Sequence, residues 1–197
     1  MNKAVFLDKD GTLIPDIPYN VNPDLITLEE GVVEGLQLLK EQGYLLVIVS
    51  NQSGVAKGIF KEDALQPVQH KIEMLLAQYH VSINGFYYCP HFPNTGLELY
   101  ARSCDCRKPE PGLLLKASMD LHIDLSQSWM VGDILNDVEA GKRAGCKAIL
   151  IDNGNETEWL LNEQRTPDFK AATITEAAQY IVMSSIHKEW SNEKRLV

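Results

Sequence analysis

The chain has 197 residues, of which 45% are hydrophobic and 23% charged, and its net charge is −9 because 27 acidic residues outnumber 18 basic ones. This length and composition are typical of one folded globular domain and exclude a disordered chain. The anionic balance disfavours nucleic acid as a partner, since that binding needs a cationic surface, but it allows a small phosphorylated substrate held by a few local cations.

Strands and helices are predicted to alternate along the chain. Short apolar runs that end in polar turns indicate buried strands at residues 4–7, 44–49, 86–88, 128–131 and 148–151. Apolar residues at helical spacing indicate helices at residues 31–42, 62–79, 111–121, 136–144 and 175–186. Pro67 must either lie in the first turn of its helix or break that helix, and Thr175 is expected as an N-cap. The alternation predicts an α/β fold, a three-layer, doubly wound parallel sheet with helices on both faces.

One domain is expected over residues 1–187, followed by a polar, loosely held tail over residues 188–197. The segments after Leu13 and after Ser53 are too short to form a core of their own, so no large cap domain is predicted. We also expect the protein to be a monomer.

Neither a membrane span nor an export signal is predicted. No apolar run approaches the roughly 20 residues that cross a bilayer. The early acids Asp8 and Asp10 interrupt any signal-peptide pattern. A cytoplasmic protein that binds neither membrane nor nucleic acid is therefore expected, and in the cytoplasm its four cysteines would stay reduced.

Two aspartates lie two residues apart, directly after the first predicted strand. Asp8 and Asp10 are followed by Gly11, which allows a tight turn, and by Thr12. Two carboxylates this close repel each other unless a cation holds them, so a divalent metal ion is predicted. Asp8 is suited to attack phosphorus, and Asp10 to protonate the leaving oxygen and then to activate water. The alternative is a loop that carries two solvated acids.

Further polar residues are predicted at the same edge of the sheet. Ser50 and Asp133 each follow a strand, and ligands of parallel sheets bind beyond the carboxyl ends of the strands. Ser50 can hold phosphoryl oxygens there, and Lys108 can balance the charge of Asp8. Asp133 would complete a Mg²⁺ site with Asp8 and the backbone carbonyl of Asp10.

Three cysteines and a histidine form a second group of candidate ligands. Cys89 and His91 make one pair with a one-residue spacer, and Cys104 and Cys106 make another. Three thiolates and one imidazole complete a tetrahedral set, so the pattern predicts a structural Zn²⁺ that staples the intervening loop. A disulfide between Cys104 and Cys106 is geometrically poor at this spacing. The alternative is four unrelated residues, and Cys146 is interpreted as part of the core.

The order of these motifs resembles the haloacid dehalogenase superfamily of phosphotransferases. The matching residues are Asp8-Lys9-Asp10-Gly11-Thr12, then Ser50, then Lys108, then Gly132-Asp133 with Asp137. The resemblance implies that Asp8 is the nucleophile, Asp10 the acid and base, and Asp133 a Mg²⁺ ligand. It assigns phosphoryl binding to Ser50 and Lys108, and the second aspartate implies the phosphatase branch. Asp137 has two equally supported interpretations, a supporting role at the site or a favourable charge at a helix N-terminus.

The zinc pattern narrows the resemblance to the branch that acts on a heptose bisphosphate. Ser53 stands where the histidinol-phosphate branch typically has aspartate, and the loop from His91 to Cys104 is long. The implied reaction removes the C7 phosphate of D-glycero-D-manno-heptose 1,7-bisphosphate, with histidinol phosphate as the alternative substrate. Two hypotheses of other kinds are a catalytically inactive, zinc-stapled binding protein and a nucleic acid end phosphatase, which the negative charge disfavours.

The same resemblance implies which residues contact the substrate. They are Asp16, Tyr19, Ser50, Asn51, Gln52, Ser53, Arg107 and Lys108. The guanidinium fork of Arg107 suits a second phosphate or a sugar hydroxyl. The chain departs from the family at Ile134, where lysine is common, and in the details of residues 16–19.

Overall fold

The computed structural model describes residues 1–94 and 98–193, and in this part strands alternate with α-helices. The strands are β1 (Lys3–Leu7), β2 (Tyr44–Asn51), β3 (Gly85–Cys89), β4 (Trp129–Gly132), β5 (Lys147–Ile151) and β6 (Phe169–Ala171). The helices are α1 (Val32–Glu41), α2 (Leu65–Ala77), α3 (Gly112–Leu121), α4 (Leu135–Ala144) and α5 (Ile174–Glu193). All six strands are parallel, in the order β3-β2-β1-β4-β5-β6.

The sheet separates two hydrophobic cores. In β1, Val5 and Leu7 point into the core that α1, α2 and α5 cover, whereas Ala4 and Phe6 point into the core covered by α3 and α4. Alternate residues of a strand face opposite sides, so a strand with a core on each face must be apolar throughout. The predicted three-layer α/β sheet is confirmed.

Helix α1 shows how the apolar spacing produces these layers. Val32, Leu36 and Leu39 recur at intervals of four and three residues and are all buried against the sheet. Gly43 follows the helix with φ of +76°, a conformation that favours glycine, and turns the chain directly into β2.

The two connections at the carboxyl edge form no cap domain, as predicted. Between β1 and α1 and between β2 and α2, the described residues include only two three-residue 3₁₀ helices, Pro23–Leu25 and Glu62–Ala64. Helix α2 begins at Leu65, so Pro67 lies in its first turn, where its missing N–H costs no hydrogen bond. Neither connection forms a separate layer over the sheet edge.

Strand β6 was not predicted from the sequence. Its three residues pair in parallel with Ile149–Ile151 of β5. Such a short strand has no alternation of its own to detect, and its hydrogen bonds come from a strand that lies far away in sequence.

Helix α5 is longer than expected and begins differently. It continues to Glu193, so the predicted end near residue 186 was wrong, and it includes residues 188–193 of the expected tail. No glycine or proline interrupts that segment, so the helix can continue without an apolar face. The side chain of Thr173, not that of Thr175, accepts a hydrogen bond from the Glu176 N–H at 3.3 Å. None of the described helices is long and apolar enough to cross a bilayer.

Candidate active site

The carboxyl ends of the central strands bring the predicted site residues together. Asp8 follows β1 directly, Ser50 lies near the end of β2, and Asp133 follows β4. All three line one cavity of about 320 Å³. Its walls are residues 8–10, 16–20, 50–54, 108, 133–134 and 155. The predicted contacts Asp16 and Tyr19 therefore lie in the cavity wall, whereas Arg107 lies outside it.

A larger cavity lies at the opposite, amino edge of the sheet. It has a volume of about 490 Å³ and is lined by Lys3, Tyr44, Trp129 and Lys147 among others. Asp124 is the single carboxylate among its described lining residues, and it accepts hydrogen bonds from Ser126. Among the described residues, the grouped carboxylates that could hold a cation lie at the carboxyl edge of the sheet.

A buried lysine joins two aspartates at the floor of the active-site cavity. The Lys108 ammonium contacts the carboxylate of Asp8, lies 2.6 Å from Asp137 Oδ1 and donates to the Val49 carbonyl at 2.9 Å. Burial lowers the pKa of Lys108, but the charges of Asp137 and Asp8 outweigh it and raise the pKa above its ordinary value. Lys108 therefore stays positively charged beside Asp8.

Asp137 combines the two roles that the sequence left open. Its side chain is fully buried, and besides its contact with Lys108 its Oδ2 accepts from the Ile134 N–H at 3.2 Å. Asp137 thus stabilises the N-terminus of helix α4 and also balances the charge of the buried lysine. Gly132 is required here, because a Cβ at that position would lie 2.3 Å from Asp137 Cγ.

The carboxylates of this site fit a divalent cation. Oxygens of Asp8, Asp133 and Asp137 lie within 4.8 Å of one another. Burial, followed by repulsion from Asp8 and Asp137, raises the pKa of Asp133 to about 8. Burial also raises the pKa of Asp8 to about 6, although Lys108 opposes the shift. Both oxygens of Asp137 contact protein donors, Lys108 and the Ile134 N–H, whereas Asp8 contacts Lys108 through one oxygen. Asp8 and Asp133 are therefore the carboxylates that could hold Mg²⁺.

Two hydrogen-bond donors orient Asp133. The Thr12 hydroxyl donates to Oδ1 at 3.2 Å, and the Asn155 carboxamide donates to Oδ2 at 2.7 Å. Asn153 donates to the Gly11 carbonyl at 2.7 Å. The loop after β5 therefore contacts both Asp133 and the turn at Gly11. Sequence reasoning missed both asparagines, since their only signal was an Asn-Gly-Asn turn after a strand.

Asp10 is held by a lysine and a glutamine. Lys9 Nζ lies 2.5 Å from Asp10 Oδ1, and Gln52 Nε2 donates to Oδ2 at 3.1 Å and to the Ser50 hydroxyl oxygen at 2.7 Å. Burial raises the pKa of Asp10, with the charge of Lys9 opposing the shift. A raised pKa favours the protonated form that a general acid needs. The role of Lys9 was not predicted.

Asn51 connects the end of β2 to the loop that carries Lys108. Its carboxamide donates to the Lys108 carbonyl at 3.0 Å and accepts from the Lys108 N–H at 3.0 Å. The sequence predicted Asn51 as a substrate contact. In the structure its side chain positions Lys108, while the residue still lines the cavity.

The predicted zinc ligands lie close together in the structure. The Sγ atoms of Cys89, Cys104 and Cys106 are 3.1 to 3.5 Å apart, and none forms a disulfide. His91 Nδ1 lies 3.3 Å from Cys106 Sγ and 3.7 Å from Cys89 Sγ. A tetrahedral zinc with bonds of about 2.3 Å needs sulfurs about 3.8 Å apart, so the ion fits after a small expansion. Residues 95–97 of the predicted loop lie outside the described residues.

Two of the three thiols of this cluster resist ionisation without a cation. Burial raises the pKa of Cys89 to about 11 and also raises that of Cys106. Burial opposes ionisation of Cys104 as well, but hydrogen bonds with Cys106 and Cys89 leave its pKa below the ordinary value. Three grouped thiolates need a cation to balance their charge, so the donor set fits zinc.

Replacing Asn155 with leucine should weaken Mg²⁺ binding about 10- to 100-fold, the usual cost of removing a group that orients a metal ligand. Leucine keeps the approximate volume but cannot donate to Asp133. Isothermal titration with Mg²⁺ measures the change. As a control, Asn162→Ala removes a carboxamide that caps the 3₁₀ helix Glu163–Arg165. Equal Mg²⁺ affinity in Asn155→Leu and the wild type would contradict the role of Asn155.

Comparison with known proteins identifies the class to which this fold and site belong. A family model described as "HAD-hyrolase-like" matches residues 105–177. Curated relatives that are 39% to 46% identical match 72% to 81% of this chain, and the chain covers at least 75% of each. The chain belongs to the haloacid dehalogenase-like hydrolase family.

The relatives carry the name of one particular enzyme. The D-glycero-beta-D-manno-heptose-1,7-bisphosphate 7-phosphatase of Pasteurella multocida (strain Pm70) is 46% identical over 155 residues, which are 78% of this chain and 84% of that protein. The Salmonella typhi protein of the same name is 39% identical over 168 residues, or 81% and 89%. The structure of D,D-heptose 1.7-bisphosphate phosphatase from B. bronchiseptica, complexed with magnesium and phosphate, matches with a TM-score of 0.75 and 28% identity. It covers 92% of this chain and 99% of that one.

Proposed function

We propose that this chain is a Mg²⁺-dependent phosphatase that removes the C7 phosphate of D-glycero-β-D-manno-heptose 1,7-bisphosphate. The observation that carries the proposal is the contact of Asp8 with the buried Lys108, beside Asp133, at the carboxyl edge of the sheet. The identity of 39% to 46% to phosphatases of that name supports the substrate.

The first chemical step transfers the phosphoryl group to Asp8. An Asp8 carboxylate oxygen attacks phosphorus, the bond from phosphorus to the sugar oxygen breaks, and Asp10 gives its proton to that oxygen. Lys108 and the Ser50 hydroxyl bind the phosphoryl oxygens. Asp8, Asp133 and the Asp10 carbonyl would hold Mg²⁺, which when bound would supply positive charge to offset the developing negative charge.

The second step returns Asp8 to its starting state. The Asp10 carboxylate, now without its proton, takes a proton from water as the water oxygen attacks phosphorus. The bond between phosphorus and the Asp8 oxygen breaks, so inorganic phosphate leaves and the Asp8 carboxylate is regenerated. The contacts of Asp10 with Lys9 and Gln52 keep it oriented through both steps.

The cysteine and histidine cluster is proposed to bind a structural zinc. Four protein ligands leave no open position for substrate, so the metal takes no part in the chemistry. Cys106 is followed directly by Arg107 and Lys108. A metal at this position would therefore order the segment that supplies the cations of the active site.

A substrate profile tests the proposed function. We expect kcat/KM for the heptose bisphosphate to exceed that for histidinol phosphate by about 100-fold or more, a difference of about 2.7 kcal/mol in transition-state binding. Assays with Mg²⁺ should include Asp8→Asn protein to subtract contaminating phosphatase. A higher kcat/KM for histidinol phosphate would refute the heptose assignment. No turnover of any phosphomonoester would instead favour a zinc-stapled binding protein.

A further inference from the structure

One aromatic ring near the active-site cavity contacts two cations. Lys57 Nζ and Arg107 Cζ each lie 4.7 Å from the centroid of the Phe92 ring. Lys57 Nζ also donates to the Tyr19 hydroxyl at 2.6 Å, and Tyr19 lines the cavity. We call Tyr19, Lys57, Phe92 and Arg107 the rim cluster.

The two cations of the rim cluster have no carboxylate partner in the part of the chain that the structure describes. The ion pairs found there within 4.0 Å involve neither Lys57 nor Arg107. The chain has a net charge of −9, so acidic residues outnumber basic ones. Two cations against one ring with no carboxylate within ion-pair distance in the described residues are therefore unexpected. Two positive charges against one ring repel each other, and an anion that contacts both would relieve the repulsion.

The position of the rim cluster links that anion to the substrate. The active-site cavity contains both Asp8 and Tyr19, so it runs from the proposed nucleophile to the rim. Arg107 is bonded to Lys108, whose ammonium contacts Asp8. A molecule with its reacting phosphate at Asp8 and a second anionic group at its other end would bring that second group toward Lys57 and Arg107.

We propose that Lys57 is a specificity-determining residue, which with Arg107 binds the second phosphate of a sugar bisphosphate. This inference rests on the proposed function for the identity of the substrate. Lys57 is not among the substrate contacts that the sequence predicts, whereas Arg107 is. The alternative is a structural role. In that case the hydrogen bond from Lys57 to the Tyr19 hydroxyl only holds the cavity wall against the loop after β2.

The specificity role and the structural role of Lys57 predict different kinetics for a substrate that lacks the second phosphate. In Lys57→Met the side chain keeps its apolar stem but loses its charge and its hydrogen bond. We expect KM for the heptose 1,7-bisphosphate to rise about tenfold, the effect of losing one charged hydrogen bond, with kcat within about twofold. KM for the heptose 7-phosphate should not change. Lys57→Arg should restore the preference for the bisphosphate, and Lys61→Met serves as a nearby control.

The outcomes separate this inference from the proposed function. Equal changes for both substrates in Lys57→Met would show a structural role and overturn the specificity role, as would no change for either. If the wild type does not hydrolyse the heptose bisphosphate, the proposed function fails by itself. Inhibition of p-nitrophenyl phosphate hydrolysis by the bisphosphate and the monophosphate then tests Lys57. An unchanged ratio of the two inhibition constants in Lys57→Met would refute the inference.

Discussion

Replacing Asp8 with asparagine should lower kcat by about 10⁴-fold or more, the scale of loss when a nucleophile is removed. Asparagine keeps the shape of the side chain and its place after β1, but its amide cannot form the acyl phosphate. Steady-state kinetics with the heptose bisphosphate measure the loss. Mass spectrometry of acid-quenched wild-type enzyme should detect a phosphoryl adduct that the variant lacks.

A second aspartate at a strand end provides the control for this substitution. Asp152 follows β5 as Asp8 follows β1, but its carboxylate pairs with Lys170 at 3.6 Å and lies outside the active-site cavity. Asp152→Asn should keep kcat within about twofold, as expected for a surface change away from the site. Activity like that of the wild type in Asp8→Asn would refute Asp8 as the nucleophile.

Replacing Cys104 with serine should remove the zinc and destabilise the protein. The expected loss in the free energy of unfolding is about 3 kcal/mol, the cost of removing a cross-link that closes a loop. For a domain of this size such a loss lowers Tm by about 6–12 °C. We also expect lower kcat/KM, because Arg107 and Lys108 follow the cluster directly. Elemental analysis, thermal unfolding and kinetics measure the three effects.

The cysteine outside the cluster provides the matched control. Cys146 is buried in the core covered by α3 and α4. Cys146→Ala should bind as much zinc as the wild type, which separates loss of the metal from loss of a buried thiol. A Cys104→Ser protein without metal that is as stable and active as the wild type would disprove the structural role of zinc.

The helices and long strands were predictable because their signals are local. The run 44–49 is apolar throughout since β2 has a core on each face, and the spacing of Val32, Leu36 and Leu39 follows from one buried face of α1. Strand β6 and the end of α5 were not predictable. The hydrogen bonds of β6 come from β5, and the polar end of α5 has no apolar pattern.

The candidate site divides in the same way. The side chains placed by strand ends were predictable, because the carboxyl ends of parallel strands share one edge. Asn155 reaches Asp133 across 22 positions of the chain, and no local pattern marks that contact. The dual role of Asp137 also became visible only from its distances to Lys108 and Ile134.

The sequence by itself determined the α/β layers, the acids at the strand ends and the cysteine–histidine set. These depend on residue type and on spacing within short segments, which a sequence states directly. Only the tertiary structure decided which groups support them: the contact of Lys108 with two aspartates, the amide of Asn155 on Asp133, and the two cations on Phe92. Such contacts join distant segments, and their geometry depends on the packing of the whole sheet edge.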